Sequence, residues 1–216
     1  MPKPRPRDSI ALPRKMHVYC EGAKTEPNYI QSYINSRNDS SLRSVVRIED
    51  TSKNTAVQLV EEAISDKKSG KHPAGDVYWV VYDRESVSKY PDAFHAKAYA
   101  SAKANDINIA LSNVCFEYWL LLHFTNTNAP YSSFSDLIAQ SALKAHIRDL
   151  TGKSYEKGSR EIYGILSNQI SVARSRAISI NSQTLAASPP GANKPYQLNP
   201  YTDIPALLEA IDSFIS

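Results

Sequence analysis

Between residues 16 and 125 the chain alternates short apolar runs with longer amphipathic stretches. Residues 16–20 (MHVYC) are an apolar run closed by Glu21 and Gly22, which predicts a buried strand. After Thr25 the period lengthens. Tyr29, Ile30, Tyr33 and Ile34 make one stripe, Pro27 falls in a first turn and Thr25 is placed to cap, so a helix is predicted. Residues 45–48 predict a second strand. Over 55–68, Val57, Leu59, Val60, Ala63 and Ile64 recur at helical spacing, and Lys67 and Lys68 stand near the end, where the helix dipole favours cations. Residues 77–82 are an unbroken apolar and aromatic run between Gly75 and Asp83, the signature of a central strand buried on both faces. An Ala-rich helix over 91–105, a strand over 107–111 and a helix over 116–124 complete this half. Strands and helices alternating at these lengths predict an α/β domain with a largely parallel sheet.

Past residue 126 the strand signals stop. Residues 136–148, 159–180 and 204–215 read as helices, and residues 182–200, with Pro189, Pro190, Gly191, Pro195 and Pro200, read as an irregular loop. The expected organisation is a flexible arm over 1–15, an α/β core over 16–125, and a helical part over 126–216 packed on that core.

Composition adds little until the charge is divided. The 216 residues carry a formal +3, yet residues 1–15 alone hold Lys3, Arg5, Arg7, Arg14 and Lys15 against Asp8, a balance of +4 that leaves the remainder at −1. The chain outside the arm is therefore not generally basic, and contact with a polyanion has to be made by a local patch or through metal ions. The longest apolar blocks, residues 77–82 and 118–122, are too short to cross a bilayer. No apolar leader segment stands among the first 30 residues, and two cysteines (Cys20 and Cys115) cannot form a disulfide framework. A soluble, cytoplasmic protein is expected.

With only 7 glycines, no GxGxxG follows any strand, which argues against a conventional dinucleotide site. Gly152, Lys153 and Ser154 resemble the end of a phosphate loop, but Ile147 stands where its first glycine belongs. The chain offers carboxylates at strand ends instead. Glu21 directly follows the first strand, Asp83 the third, and Glu85 comes two residues later. In open parallel sheets ligands collect at the carboxyl ends of strands. Three acids converging there repel one another unless a cation sits among them, and hard oxygen ligands suit Mg²⁺ or Mn²⁺ better than zinc. Taken singly, such acids are more often helix caps or solvated turn residues.

Three segments carry a family resemblance. Residues 20–29 (C-E-G-A-K-T-E-P-N-Y), 82–85 (Y-D-R-E) and 111–124 (L-S-N-V-C-F-E-Y-W-L-L-L-H-F) resemble the RloB family. Weaker matches follow at Tyr155 and Lys157, at Ala173–Arg174 and at residues 199–202 (N-P-Y-T), so the resemblance runs in order from about residue 15 to 215. It implies a Toprim-like, Rossmann-like fold and a place in prokaryotic anti-phage or restriction-associated defence, commonly beside an AAA-type ATPase. In the Toprim pattern a Glu follows the first strand and a D-x-D the third, and these acids hold Mg²⁺ for phosphodiester chemistry. Glu21 and Asp83 match, whereas Glu85 departs from the usual Asp and reaches one methylene further.

The resemblance thus implies a metal-dependent nuclease of DNA or RNA, with Glu21, Asp83 and Glu85 as metal ligands and Glu21, Glu117 and Lys24 as catalytic candidates. Glu117 is also a first-turn acid favoured by its helix dipole. Lys24 is also a solvated loop lysine. Lys157 is a candidate for the scissile phosphate, and His123 reads better as a packed core histidine than as a base. The expected partners are the nucleic acid and the ATPase, with no membrane and with self-association left open. Two other readings stand beside this one: a non-catalytic Toprim-like sensor or partner subunit of the ATPase, and nucleotidyl chemistry of the primase type.

Overall fold

A computed structural model describes residues 13–37 and 40–214. Its centre is a five-stranded sheet of β1 (Met16–Cys20), β2 (Val46–Glu49), β3 (Val77–Asp83), β4 (Asn108–Asn113) and β5 (Tyr201–Thr202), in the order β2-β1-β3-β4-β5. The first four strands are parallel, and β5 runs antiparallel along β4. The parallel α/β sheet and the helical C-terminal half are as the pattern predicts.

The helices are α1 (Thr25–Ser36), α2 (Leu42–Val45), α3 (Ala56–Lys68), α4 (Asp92–Ala104), α5 (Phe116–Leu122), α6 (Phe134–Gln140), α7 (Leu143–Thr151), α8 (Ile162–Leu166), α9 (Ile170–Ala187) and α10 (Ile204–Asp212). Two cores form, one on each sheet face. Val18, Trp79 and Val81 meet α1, α5, α9 and α10 on one side. Tyr19, Tyr78, Val80 and Tyr82 meet α3 and α4 on the other. Burying each such Val, Leu or Phe contributes roughly 1.5–3 kcal/mol, so the two cores together hold the sheet between its helical layers.

The strand order fixes where a ligand can enter. From β1 the chain crosses to β2 on one side of the sheet, and from β3 it crosses to β4 on the other. Helix α1 therefore packs on one face and α4 on the opposite one. Right-handed crossovers in opposite directions leave a crevice between β1 and β3 at their carboxyl ends.

Several local expectations are corrected. Thr55 caps α3 by accepting from the Gln58 N–H, but Thr25 lies inside α1 and its hydroxyl caps nothing. The helix expected over 136–148 is two helices, because Ser141 is extended and breaks it. The one expected over 159–180 likewise divides into α8, a 3₁₀ turn and α9. Helix α9 continues to Ala187, into the expected loop. Strand β5 lies in the half where no strand was expected. The basic arm falls almost wholly outside the described residues; Arg14, at its end, donates to the Phe214 carbonyl and lies over that ring. Among the described residues no helix is long and apolar enough to cross a membrane.

Candidate active site

The crevice between β1 and β3 is a cleft of about 530 Å³ lined by Glu21, Lys24, Glu26, Asp83, Glu85, Lys89 and Lys157, among others. Glu21 leaves β1 with its backbone N–H on the Val81 carbonyl, and its Oε2 accepts the Asp83 N–H at 3.0 Å. The two strand-end acids are thus joined through backbone. Asp83 closes β3 and its Oδ1 accepts the Phe116 N–H at 2.8 Å, at the start of α5.

Two further carboxylates come from the first turns of helices. Glu26, in α1, is buried, and so is Glu117, in α5. Glu117 Oε1 accepts the Tyr155 hydroxyl at 2.8 Å and lies 3.9 Å from Lys157 Nζ. The Oε2 atoms of both Glu26 and Glu117 are buried with no hydrogen-bond partner. Gly22 leaves room for Glu26: a Cβ there would lie 2.0 Å from Oε2 and the carboxylate would have to move.

Lys157 arrives from a distant loop. Asn28 of α1 donates to the Gly158 carbonyl at 3.0 Å, docking this loop on the acids, and Gly158 packs against Lys24 with a positive φ of 85°. Lys157 Nζ also lies over the Phe134 ring.

Burial and mutual repulsion raise the proton affinity of Glu21, Glu26 and Asp83. Burial pushes the Glu21 carboxyl up to about 7, with Glu85 and Glu26 adding repulsion and the Asp83 N–H opposing it. Burial, then Glu26, Glu117 and Glu21, lift Asp83 well above the carboxylate range. Glu26 is raised by burial and by Glu117. Burial works against the charge on Lys157, but Glu117, Asp83 and Glu26 outweigh it and raise the ammonium.

The expected residues do not all behave alike. Glu21, Asp83 and Lys24 share the cleft; Glu117 sits behind it and reaches it through Tyr155 and Lys157. Glu85 is at the rim with a φ of 61°, its carboxylate paired with Lys89 at 2.8 Å. His123 is in the core, with Nε2 against the Tyr29 hydroxyl and Nδ1 against the Trp119 carbonyl, and burial lowers it to about 4. Glu26 was missed although it stands in the quoted 20–29 segment, because a first-turn glutamate reads as a helix-dipole residue. A larger cleft, about 690 Å³, abuts at Glu85 and has a mixed lining that includes Arg84, Asp92, Val87, Asn113, Ser132 and Asn199.

An oxygen-only donor set with two orphaned carboxylate oxygens fits a hard divalent cation. The set is open: the grouping among the described residues whose ligand atoms all lie within 4.8 Å of one another is elsewhere, at His17, His72 and Asp76. An ion that keeps several of its waters, as Mg²⁺ does, suits such spacing.

Fold and cleft together define an α/β protein with an acidic site at the switch point of its sheet. A family model described as RloB-like protein matches residues 16–211, nearly the whole chain. The chain belongs to the RloB-like family. Neither the curated proteins nor the solved structures contain a match to it.

Proposed function

We propose that the protein is a Mg²⁺- or Mn²⁺-dependent nuclease of the Toprim type that hydrolyses phosphodiesters of DNA or RNA. The observation that carries this reading is the meeting of Glu21, Glu26 and Asp83 with Lys157 at the β1/β3 crevice, with Glu26 Oε2 buried and unpartnered. Glu21 and Asp83 are the residues that would hold the ion, with Glu26 beside them. When bound, such an ion polarises the phosphate and lowers the pKa of its water.

The chain's own groups supply the rest. Glu21, in the cleft beside Asp83, is the proposed acceptor of the attacking water's proton. Lys157 and Lys24 flank the acids and balance phosphate charge. Glu117 acts at one remove, through the Tyr155 hydroxyl and by its charge on Lys157, and so positions rather than reacts. Glu85 is partly exposed and pairs with Lys89 through Oε1, so it is assigned to the rim. The adjoining cleft has a mixed polar and apolar lining rather than a basic track, in keeping with a chain that is −1 outside its arm. A role in prokaryotic anti-phage defence with an AAA-type ATPase belongs to the same proposal.

The test is cleavage of labelled DNA and RNA with Mn²⁺ or Mg²⁺, alone and with the neighbouring ATPase. Metal-dependent cutting by the wild type that is lost in Glu21→Gln and Asp83→Asn supports the reading. Absence of cutting on every polymer, with both metals and the ATPase present, overturns it. The Glu85–Lys89 pair favours a second reading, a non-catalytic partner subunit of the ATPase. In that case Asp83→Asn leaves phage protection intact.

A further inference from the structure

The amino-terminal half of the sheet carries a second cluster, at the opposite ends of β1 and β3 from the acid cleft. His17, the second residue of β1, is completely buried, and its cross-strand neighbour Tyr78 stacks on its ring at 4.8 Å. Its Nδ1 lies 2.6 Å from Glu49 Oε1 and its Nε2 2.9 Å from Asp76 Oδ2. The ring of His72, from the loop between α3 and β3, is 4.4 Å from that of His17. His17, His72 and Asp76 each offer a ligand atom, and these atoms all lie within 4.8 Å of one another.

Each of the three is held from outside by a further group. Glu49 takes His17 Nδ1. Asp66 Oδ2 lies 3.3 Å from His72 Nε2 and is itself fixed by the Tyr19 hydroxyl at 2.6 Å. Asp76 Oδ1 accepts the Lys15 backbone N–H at 2.8 Å, which leaves Oδ2 for His17 Nε2. Imidazoles that bind metals almost always rest their second nitrogen on a carboxylate, carbonyl or water, which fixes the tautomer and the ring. Three carboxylates gathered on two imidazoles also leave local negative charge for a dication to offset.

We propose that His17, His72 and Asp76 form a three-ligand site for a Zn²⁺-type transition-metal ion, with Glu49 and Asp66 as its outer carboxylates. Imidazole with a single carboxylate selects Zn²⁺-class ions over Mg²⁺. Three protein ligands leave the fourth position to water, and the His72 side chain, 24% exposed, opens that position to solvent. The ion takes the place of the proton otherwise shared between His17 Nε2 and Asp76 Oδ2. It ties the start of β1, the start of β3 and the α3–β3 loop into one unit. Nothing in this site depends on the nuclease reading.

The experiment uses the whole chain stripped of metal and titrated with Co²⁺, followed by its visible d–d absorption, then with Zn²⁺ by calorimetry. The result expected is one equivalent of Co²⁺ with intense four- or five-coordinate bands, displaced by Zn²⁺ and not by Mg²⁺. Glu49→Gln should weaken Zn²⁺ roughly 10–100-fold, and His72→Ala by more than that. Asp83→Asn should leave binding unchanged. His72 lies on a partly exposed loop, so His72→Ala is the variant that keeps the fold, checked by circular dichroism. Absence of the d–d bands would leave His17 only a buried imidazolium between two carboxylates and would overturn the site. Unchanged Zn²⁺ affinity in folded His72→Ala, or loss of the bands in Asp83→Asn, would overturn it too.

Discussion

Glu21→Gln isolates the electrostatic state of the cleft. Glutamine keeps the shape of the side chain and an oxygen that can accept the Asp83 N–H, so the substitution removes charge and little else. In the fold the Glu21 carboxyl is raised by burial, and further by Glu85 and Glu26, from an ordinary 4.5 to about 7. Below pH 4.5 the group is protonated in both folded and unfolded chains and has no effect on stability. Between pH 4.5 and 7 the unfolded chain ionises first, so the folded state loses stability as pH rises, and the loss is complete above 7. At 1.36 kcal/mol per unit over roughly 2.5 units, the full cost of ionised Glu21 is about 3 kcal/mol. Urea unfolding of both proteins in chelator at a series of pH values checks this. Glu21→Gln should match the wild type near pH 4, then gain on it up to pH 7 and hold a steady advantage above. A difference that is flat with pH would refute the claim that the acids repel in a partly desolvated cleft.

Three other outcomes follow from the same geometry. Gly22→Ala must push the Glu26 carboxylate aside, since the new Cβ would lie 2.0 Å from its Oε2, so it should cost about 1–3 kcal/mol in urea unfolding. Tyr155→Phe removes the hydroxyl from Glu117 Oε1 and leaves a buried carboxylate with neither oxygen held by a hydroxyl, which should cost about 1–3 kcal/mol in urea unfolding and, under the proposed function, slow cleavage. Arg84 is buried and donates to the Tyr196 and Tyr90 carbonyls as well as to the half-exposed Asp92, so Arg84→Met leaves those carbonyls without a donor and should lower stability by about 1–3 kcal/mol, read from the urea midpoint.

What could be read in advance was what local sequence controls. Strands β1 and β3 are legible because both are nearly continuous apolar runs buried on two faces, and Glu21 and Asp83 because each stands flush with the end of its strand. Glu26 was hidden by its position, since a glutamate in a first helical turn needs no explanation beyond the dipole. Tyr155 and Lys157 reach the acids only through the docking of their loop on Asn28, a contact across 130 positions that no window of sequence contains. Spacing brings Glu85 to the same cleft, but its positive φ and its pairing with Lys89 are visible only in the fold. Strand β5 is two residues long and exists only because β4 offers an edge, with Ser112 and Thr202 hydroxyls meeting across it. The His17 cluster was concealed for a similar reason: its members lie 55 and 4 positions apart, in a strand and a loop, with no ligand spacing to mark them.

The most direct measurement is calorimetric titration of Mn²⁺ into the whole chain in a His72→Ala background, which removes the second site from the signal, with and without Asp83→Asn. A cation site in the acid cleft predicts saturable binding that disappears when Asp83 is neutralised. Binding of equal affinity in both proteins, or in neither, would contradict it.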